Sequence, residues 1–438
     1  MRQHTTLLLF AVLLATIGCK DEKTTVNAQV LEEDAISPLL EQPIQIDTKQ
    51  ADRDLAFWKS KYVDGKPTPI ALIGEGGARI ARFRESNDVT ELNAGVRDLE
   101  HADSLNPSVS AAYKRTLASA YISQHRFEEA YQALQQAVEN GEKRQLSYLQ
   151  LFDAAMETGR YEEGLALLDS IENKNDFNYL IRAAKYNDYA GDLDQTIVFM
   201  EQARDIMIQK KDTAMMKWSY TNLGDYYGHA GRIDDSYDSF MQSINLNPND
   251  RYARKGIAYI MHAAKDNQEA ARKILKVADP DESRPAYLSL LADVEDISGN
   301  TTEAERLRAK HDEIIARRDW GNMYRLEVAK QRIDNEHTLD QGIALLEEEL
   351  ELRKDPVVYA VMAYAMAQQA NSDMEKQAVV DYIAQHVDNK TFEPDANVYR
   401  YKAYKKLGMA DRAAAYEAGL REAAYELGPI TMRELGVN

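Results

Sequence analysis

Eight histidines, one cysteine and one glycine cluster are the residues of this 438-residue chain whose types most readily carry chemistry, and their spacing argues against it. A zinc-activated water needs two imidazoles one helical turn apart, and acyl transfer needs a serine on a tight glycine-flanked turn; neither pattern occurs. His229 and His262 fall 33 residues apart with no acidic partner fixed by spacing, so they are not read as a metal pair. Gly74-Glu75-Gly76-Gly77 lacks the lysine and hydroxyl of a phosphate cradle and follows no strand, which makes it a helix-crossing point. Asp279-Pro280-Asp281-Glu282 has no calcium-loop glycine and sits where acidic turn residues are ordinary. A lone cysteine, Cys19, supports neither an intramolecular disulfide nor a multi-thiolate site. The expectation is a protein without catalytic residues, metal or cofactor.

Composition narrows the partners. Acidic residues number 72 against 53 basic ones, a formal charge of −19 that repels phosphate backbones and argues against nucleic acid. With 44% hydrophobic residues the chain can bury a large core. Its length suits several domains or one repetitive array.

The amino terminus reads as an address. Arg2 and His4 precede an apolar run from Leu7 to Ile17, too short for the ~20 residues that span a bilayer, and Gly18-Cys19 follows. The segment resembles a bacterial lipoprotein signal, although Thr16 stands where leucine is commonest. That resemblance implies a signal peptide over 1–18, cleavage before Cys19 and acylation of its sulfur, with two or more chains holding the protein to the bilayer. Lys20-Asp21-Glu22-Lys23 resembles the surface-export signal of Bacteroidota lipoproteins. The implied location is the cell envelope, lipid-anchored at the outer membrane, with surface exposure as one alternative. Residues 19–50, interrupted by Pro38 and Pro43, are expected to be the lipidated cysteine and a flexible tether, a coil reaching roughly 30 Å.

The remainder repeats. Tyr220, Leu223, Gly224, Tyr227, Gly231, Ser236, Phe240 and Pro248 set a pattern that returns 34 residues on as Ile257, Ala258, Met261, Ala270 and Ile274, and again as Leu291, Ala292, Gly299 and Ala304. Earlier copies carry Leu151, Phe152, Gly159 and Gly164, then Leu117, Ala118, Tyr121 and Ala130; weaker ones lie near Ala184, Gly342 and Ala363, and a last one holds Tyr404, Gly408 and Ala413. This spacing resembles the tetratricopeptide-repeat family. The resemblance covers 51–438, most clearly 111–310, and implies an all-α fold: a right-handed superhelix, or α-solenoid, of about nine to eleven helical hairpins. A gap of 40 between Gly191 and Gly231 predicts a lengthened helix at Asp205 to Asp212. Asp52 to Tyr62 predicts a capping helix, and residues 421–438, with Leu427-Gly428-Pro429, are expected to close the far end. Because stacked repeats contact chiefly their neighbours, unfolding is expected to respond locally.

In this family the first helix of each hairpin lines a concave groove. Counting from the Leu-Gly register, the resemblance points to Arg115, Lys185, Trp218, Asp225, Tyr252, Lys255, Tyr259 and His262 as partner-binding, among Asp153, Asp188, Asp293 and Asp296. Trp218, Tyr252 and Tyr259 are candidate anchors, although Tyr252 and Tyr259 are equally suited to packing between repeats. The excess of groove carboxylates favours a basic or neutral protein or peptide partner. A chaperone-tail clamp is not reproduced beyond Asn178 and Lys185. The expected function is therefore a membrane-anchored protein-interaction scaffold. The alternatives are a surface glycan-binding lipoprotein of the starch-utilisation type, whose long tryptophan-bearing inserts are missing here, and an assembly factor for outer-membrane proteins.

Overall fold

A helix pair can pack closely only where facing positions are small, and the repeat supplies them. Ser236 Oγ donates to the Gly224 carbonyl at 2.6 Å, both residues being buried. In the next hairpin Ala258 and Ala270, 0% and 4% exposed, play the same part. The five expected turn glycines, Gly159, Gly191, Gly231, Gly299 and Gly408, all have φ between 70° and 80°, the left-handed conformation that ends a helix without strain in glycine alone. Aspartates at 176, 192, 212 and 250 then open the following helices by accepting a backbone N–H three residues on.

The computed structural model describes residues 33–41, 44–105 and 110–437. Two helices, α1 (Glu33–Glu41) and α2 (Lys49–Lys59), precede ten antiparallel hairpins. Seven form a first level: α3 (Pro69–Ser86) with α4 (Val89–Leu105), α5 (Ala111–Ser123) with α6 (Phe127–Asn140), α7 (Arg144–Glu157) with α8 (Tyr161–Ser170), α9 (Phe177–Tyr189) with α10 (Leu193–Lys210), α11 (Thr213–His229) with α12 (Ile233–Leu246), α13 (Arg251–Ala263) with α14 (Gln268–Ala278), and α15 (Pro285–Ile297) with α16 (Thr301–Arg317). Three form a second level: α17 (Arg325–Ile333) with α18 (Leu339–Leu352), α19 (Pro356–Gln369) with α20 (Asp373–His386), and α21 (Pro394–Lys406) with α22 (Ala410–Glu422). A last helix, α23 (Ala424–Leu435), follows. The fold is an all-helical solenoid of hairpins, as expected. The capping helix is α2, and the extra residues before Asp212 lengthen α10. The glycine cluster lies inside α3, where a Cβ on Gly76 would come within 2.8 Å of the Gly95 carbonyl: it is a helix crossing.

Two expectations are corrected. The tether is not coil throughout, because α1 lies within 19–50 and docks on α14. Its Ile36 and Leu39, 3% and 0% exposed, enter the core of α13 to α15, and the fully buried Arg254 donates to the Leu39 carbonyl. So short a helix is unstable alone; the apolar spacing of Ile36, Leu39 and Leu40 gives it a face that the array covers. The signal segment and Cys19 lie outside the described residues, as does Asn106-Pro107.

The second correction concerns locality, since the second level rests on the turns of the first. Asn322 Nδ2 donates to the His125 carbonyl at 3.4 Å, in the turn between α5 and α6. Gly159, between α7 and α8, lies so close to Lys354 that a Cβ would stand 2.7 Å from its carbonyl. Gly191, between α9 and α10, faces the Phe392 ring in the same way, and Gly228 faces Tyr425. Between the levels Trp320, 4% exposed, enters a core with Ile80, Leu92 and Leu117; within the first level, hairpins far apart in sequence also meet, Arg251 and Arg284 donating to the Glu85 carbonyl at 3.3 and 2.6 Å. The repeats therefore contact more than their sequence neighbours.

Candidate functional site

The helices α11, α13 and α15 lie side by side and present an inner face. Asp225 comes from α11, Tyr252, Lys255 and Tyr259 from α13, and Ser289 and Asp293 from α15; all line a cavity of about 320 Å³. Four of the eight expected partner-binding residues, Asp225, Tyr252, Lys255 and Tyr259, thus converge. Tyr252 is half exposed and its hydroxyl donates to Asp225 Oδ2 at 2.7 Å across the repeat boundary. Lys255 stands 5.5 Å from the Tyr252 ring, and among the described residues its ammonium has no carboxylate within ion-pairing distance. Burial pushes the Lys255 pKa down against the pull of Asp225.

The other four stand apart from this cavity. Trp218 is 37% exposed and meets the Phe177 ring edge-on at 5.9 Å, outside the cavity wall. Lys185 is bound to Glu157 at 2.7 Å; burial opposes its charge, but Glu157 and Asp153 outweigh that and raise its pKa. Arg115 and His262 are corrected outright. Arg115 is 7% exposed and donates to the Glu142 carbonyl and Ser147 Oγ, fastening one hairpin to the next. His262 is 3% exposed with Nδ1 on Gln268 Oε1 at 2.6 Å. The reason is geometric: the first helix of a hairpin faces the groove, the neighbouring hairpin and its own second helix, and a step of one residue turns a side chain by roughly 100°, which carries Arg115 onto the next hairpin and His262 onto α14.

Tyr425 and Glu426 of α23 complete the cavity, and the sequence reading missed them. Its only signal was Leu427-Gly428-Pro429, taken as a stop. A second cavity of about 500 Å³ lies between the levels, lined by Tyr161, Tyr189, Arg353, Asp355, Glu393 and Asp395, with Glu426 common to both. Around the two spaces burial raises the pKa values of Asp188, Asp225, Asp293, Asp355 and Glu426 from their ordinary values. Asp296 differs: hydrogen bonds from Arg308 and Arg433 hold it low. The arrangement offers carboxylates, aromatic faces and one unpaired ammonium, a set suited to binding.

Glu393 is the most perturbed of these carboxyls, raised to about 7 by burial and by the charges of Asp188, Glu426, Asp355 and Asp395. Since its ordinary value lies near 4.3, the folded protein holds a proton that the unfolded chain has released, and stability falls as pH rises through the interval. Glu393→Gln should flatten the fall in unfolding midpoint between about pH 5 and pH 8. An unaltered slope would place the pH dependence elsewhere.

Residues 219–250 match the tetratricopeptide repeat family. No curated protein matches the chain. Among solved structures, a tetratricopeptide protein of Thermus thermophilus is 17% identical over 43% of this chain and 95% of its own, with a TM-score of 0.37. One from Parabacteroides merdae is 16% identical over 55% and 93%, TM-score 0.38. Yeast Tom70 is 10% identical over 84% and 95%, TM-score 0.34. The matched segment holds the C-terminal part of α11 and all of α12, a pair that is one of the ten hairpins of the all-helical solenoid.

Proposed function

We propose that the protein is a lipid-anchored, non-catalytic scaffold that holds a basic or neutral polypeptide segment on the inner face of α11, α13 and α15. The observation that carries this reading is the convergence of Asp225, Tyr252, Lys255, Tyr259 and Asp293 on one cavity. Aromatic faces supply contact area at low entropy cost, and carboxylates in a poorly hydrated setting favour a cationic or donor-rich partner. Glycan capture has less support, because Trp58 packs over Gly74 and Trp320 is buried, leaving only Trp218 to present a broad indole face. The test is a photo-crosslinking residue placed at Tyr252 and, as a control, at exposed Glu269 on the outer helix α14. Polypeptide adducts at 252 and none at 269 are expected; equal labelling or carbohydrate adducts would end the groove reading.

Attachment to the outer membrane of the cell envelope rests on the signal-like segment ending at Cys19. Among the described residues no helix is long and apolar enough to cross a membrane. Cys19→Ser is expected to release the protein from membranes and abolish fatty-acid labelling. Continued pelleting of that variant through high salt and carbonate would defeat the anchor proposal.

A further inference from the structure

The inner face already holds a segment of the chain itself. Beyond the last hairpin α23 crosses back to α11, α13 and α15. The Tyr425 ring fits where Gly228 has no side chain, since a Cβ there would stand 2.7 Å from the ring, and it meets Tyr259 edge-on at 5.3 Å. Helical continuity then breaks: Gly428 adopts φ 77° and ψ 160°, and Pro429 follows. In an unbroken helix the Tyr425 carbonyl would accept from the backbone N–H four residues on, but that residue is Pro429, which has none. The Glu426 carbonyl stands beside that of Tyr425 at the same kink. The Tyr259 hydroxyl lies against both, 2.6 Å from the Tyr425 carbonyl and 3.0 Å from that of Glu426. Farther along, Arg433 Nη2 donates to Asp296 at 2.9 Å.

We propose that residues 424–433 are a built-in ligand of the inner face, and that the external partner is a segment of the same chemistry. Such a segment has an aromatic residue whose carbonyl is deprived of its helical donor by a proline four positions later, and a basic residue beyond the kink. This rests on the reading of the inner face as a polypeptide site, and it names what that site selects. Tyr259 supplies the missing donor, Gly228 admits the ring, and Asp296 receives the cation. Because α23 is tethered, its effective concentration at the face is on the order of millimolar, so a free segment competes poorly until α23 lets go.

The full-length protein is compared with its Tyr425→Ala/Arg433→Ala variant, using a fluorescent synthetic peptide of residues 421–437 and a scrambled version of it. Hydrogen exchange of residues 424–435 is expected to rise in the variant, which should bind the native-order peptide at least about tenfold more tightly than the unaltered protein does and discriminate against the scrambled one. Adding Tyr259→Phe, which keeps the ring and removes only the hydroxyl, should abolish that gain. Undiminished protection of residues 424–435 would mean that α21 and α22 hold the segment without the face, and would overturn the proposal. Equal binding of both peptides would overturn it while leaving a general polypeptide scaffold standing. If neither peptide binds once α23 is free, the built-in ligand is disproved, and crosslinking at Tyr252 decides the scaffold reading on its own.

Discussion

Phe240→Ala should destabilise the first level by roughly 3–5 kcal/mol, the upper range for truncating a buried aromatic side chain. Phe240 is 2% exposed and its ring sits between two glycines, so that a Cβ on Gly224 would come within 2.6 Å of it and one on Gly256 within 2.4 Å. Both helices that flank the ring are smooth at that point, and neither has a side chain able to fill the space it leaves. The prediction is checked by chemical denaturation together with amide exchange in α11 and α13. A loss below about 1 kcal/mol would show that the two helices collapse together instead. Gly224→Leu attacks the same contact from the other side and should cost less, about 1–3 kcal/mol, because overpacking can be relieved by small helix shifts.

Arg353→Met should loosen the second level from the first, at a cost of about 3–5 kcal/mol for leaving a buried carboxylate short of its partner. Arg353 Nε reaches Glu349 Oε1 at 2.6 Å and Nη1 reaches Asp355 Oδ2 at 3.1 Å, while the guanidinium lies 5.9 Å from the Phe127 ring of α6. Glu349 is 5% exposed, and without Arg353 its nearest remaining cation is Arg325 at 3.4 Å. Small-angle scattering and exchange in the turns at 125 and 159 should report the loosening. Arg353→Lys should recover only part of the loss, since an ammonium lacks the planar fork that serves two carboxylates. Unchanged dimensions and stability in the methionine variant would show that the backbone contacts alone hold the levels together.

The hairpins were legible because close helix packing demands small residues at fixed intervals, and glycine, alanine and serine at 224, 258, 236 and 270 leave a periodic trace. The inner face was half legible. Asp225, Tyr252, Lys255 and Tyr259 line one cavity, as their register suggested, whereas Arg115 is turned onto the next hairpin and His262 onto Gln268 of its own. Contacts between the levels left almost no trace. They depend on small rotations accumulated over seven hairpins, and several involve backbone atoms, such as the Lys354 carbonyl beside Gly159. Gly159 was noticed as a helix terminator, yet the same missing side chain also admits the second level, and a single letter cannot announce two roles. The occupation of the inner face by α23 was hidden for a similar reason: Gly428-Pro429 marks a break in any context, and only the fold shows that Tyr259 serves the Tyr425 carbonyl that Pro429 strands.

The four meetings between levels, 125 with 322, 159 with 354, 191 with 392 and 228 with 425, advance in step, one hairpin turn at a time. Tandem arrays ordinarily gain or lose whole units, since each unit needs only its neighbours. Here, duplicating one hairpin between α8 and α16 would slide later pairings by a full turn, bringing groups shaped for one glycine against another and carrying Tyr425 away from Gly228. The number of units is consequently locked by the pitch, and inheritance is free to vary side chains within a hairpin far more than the count of hairpins.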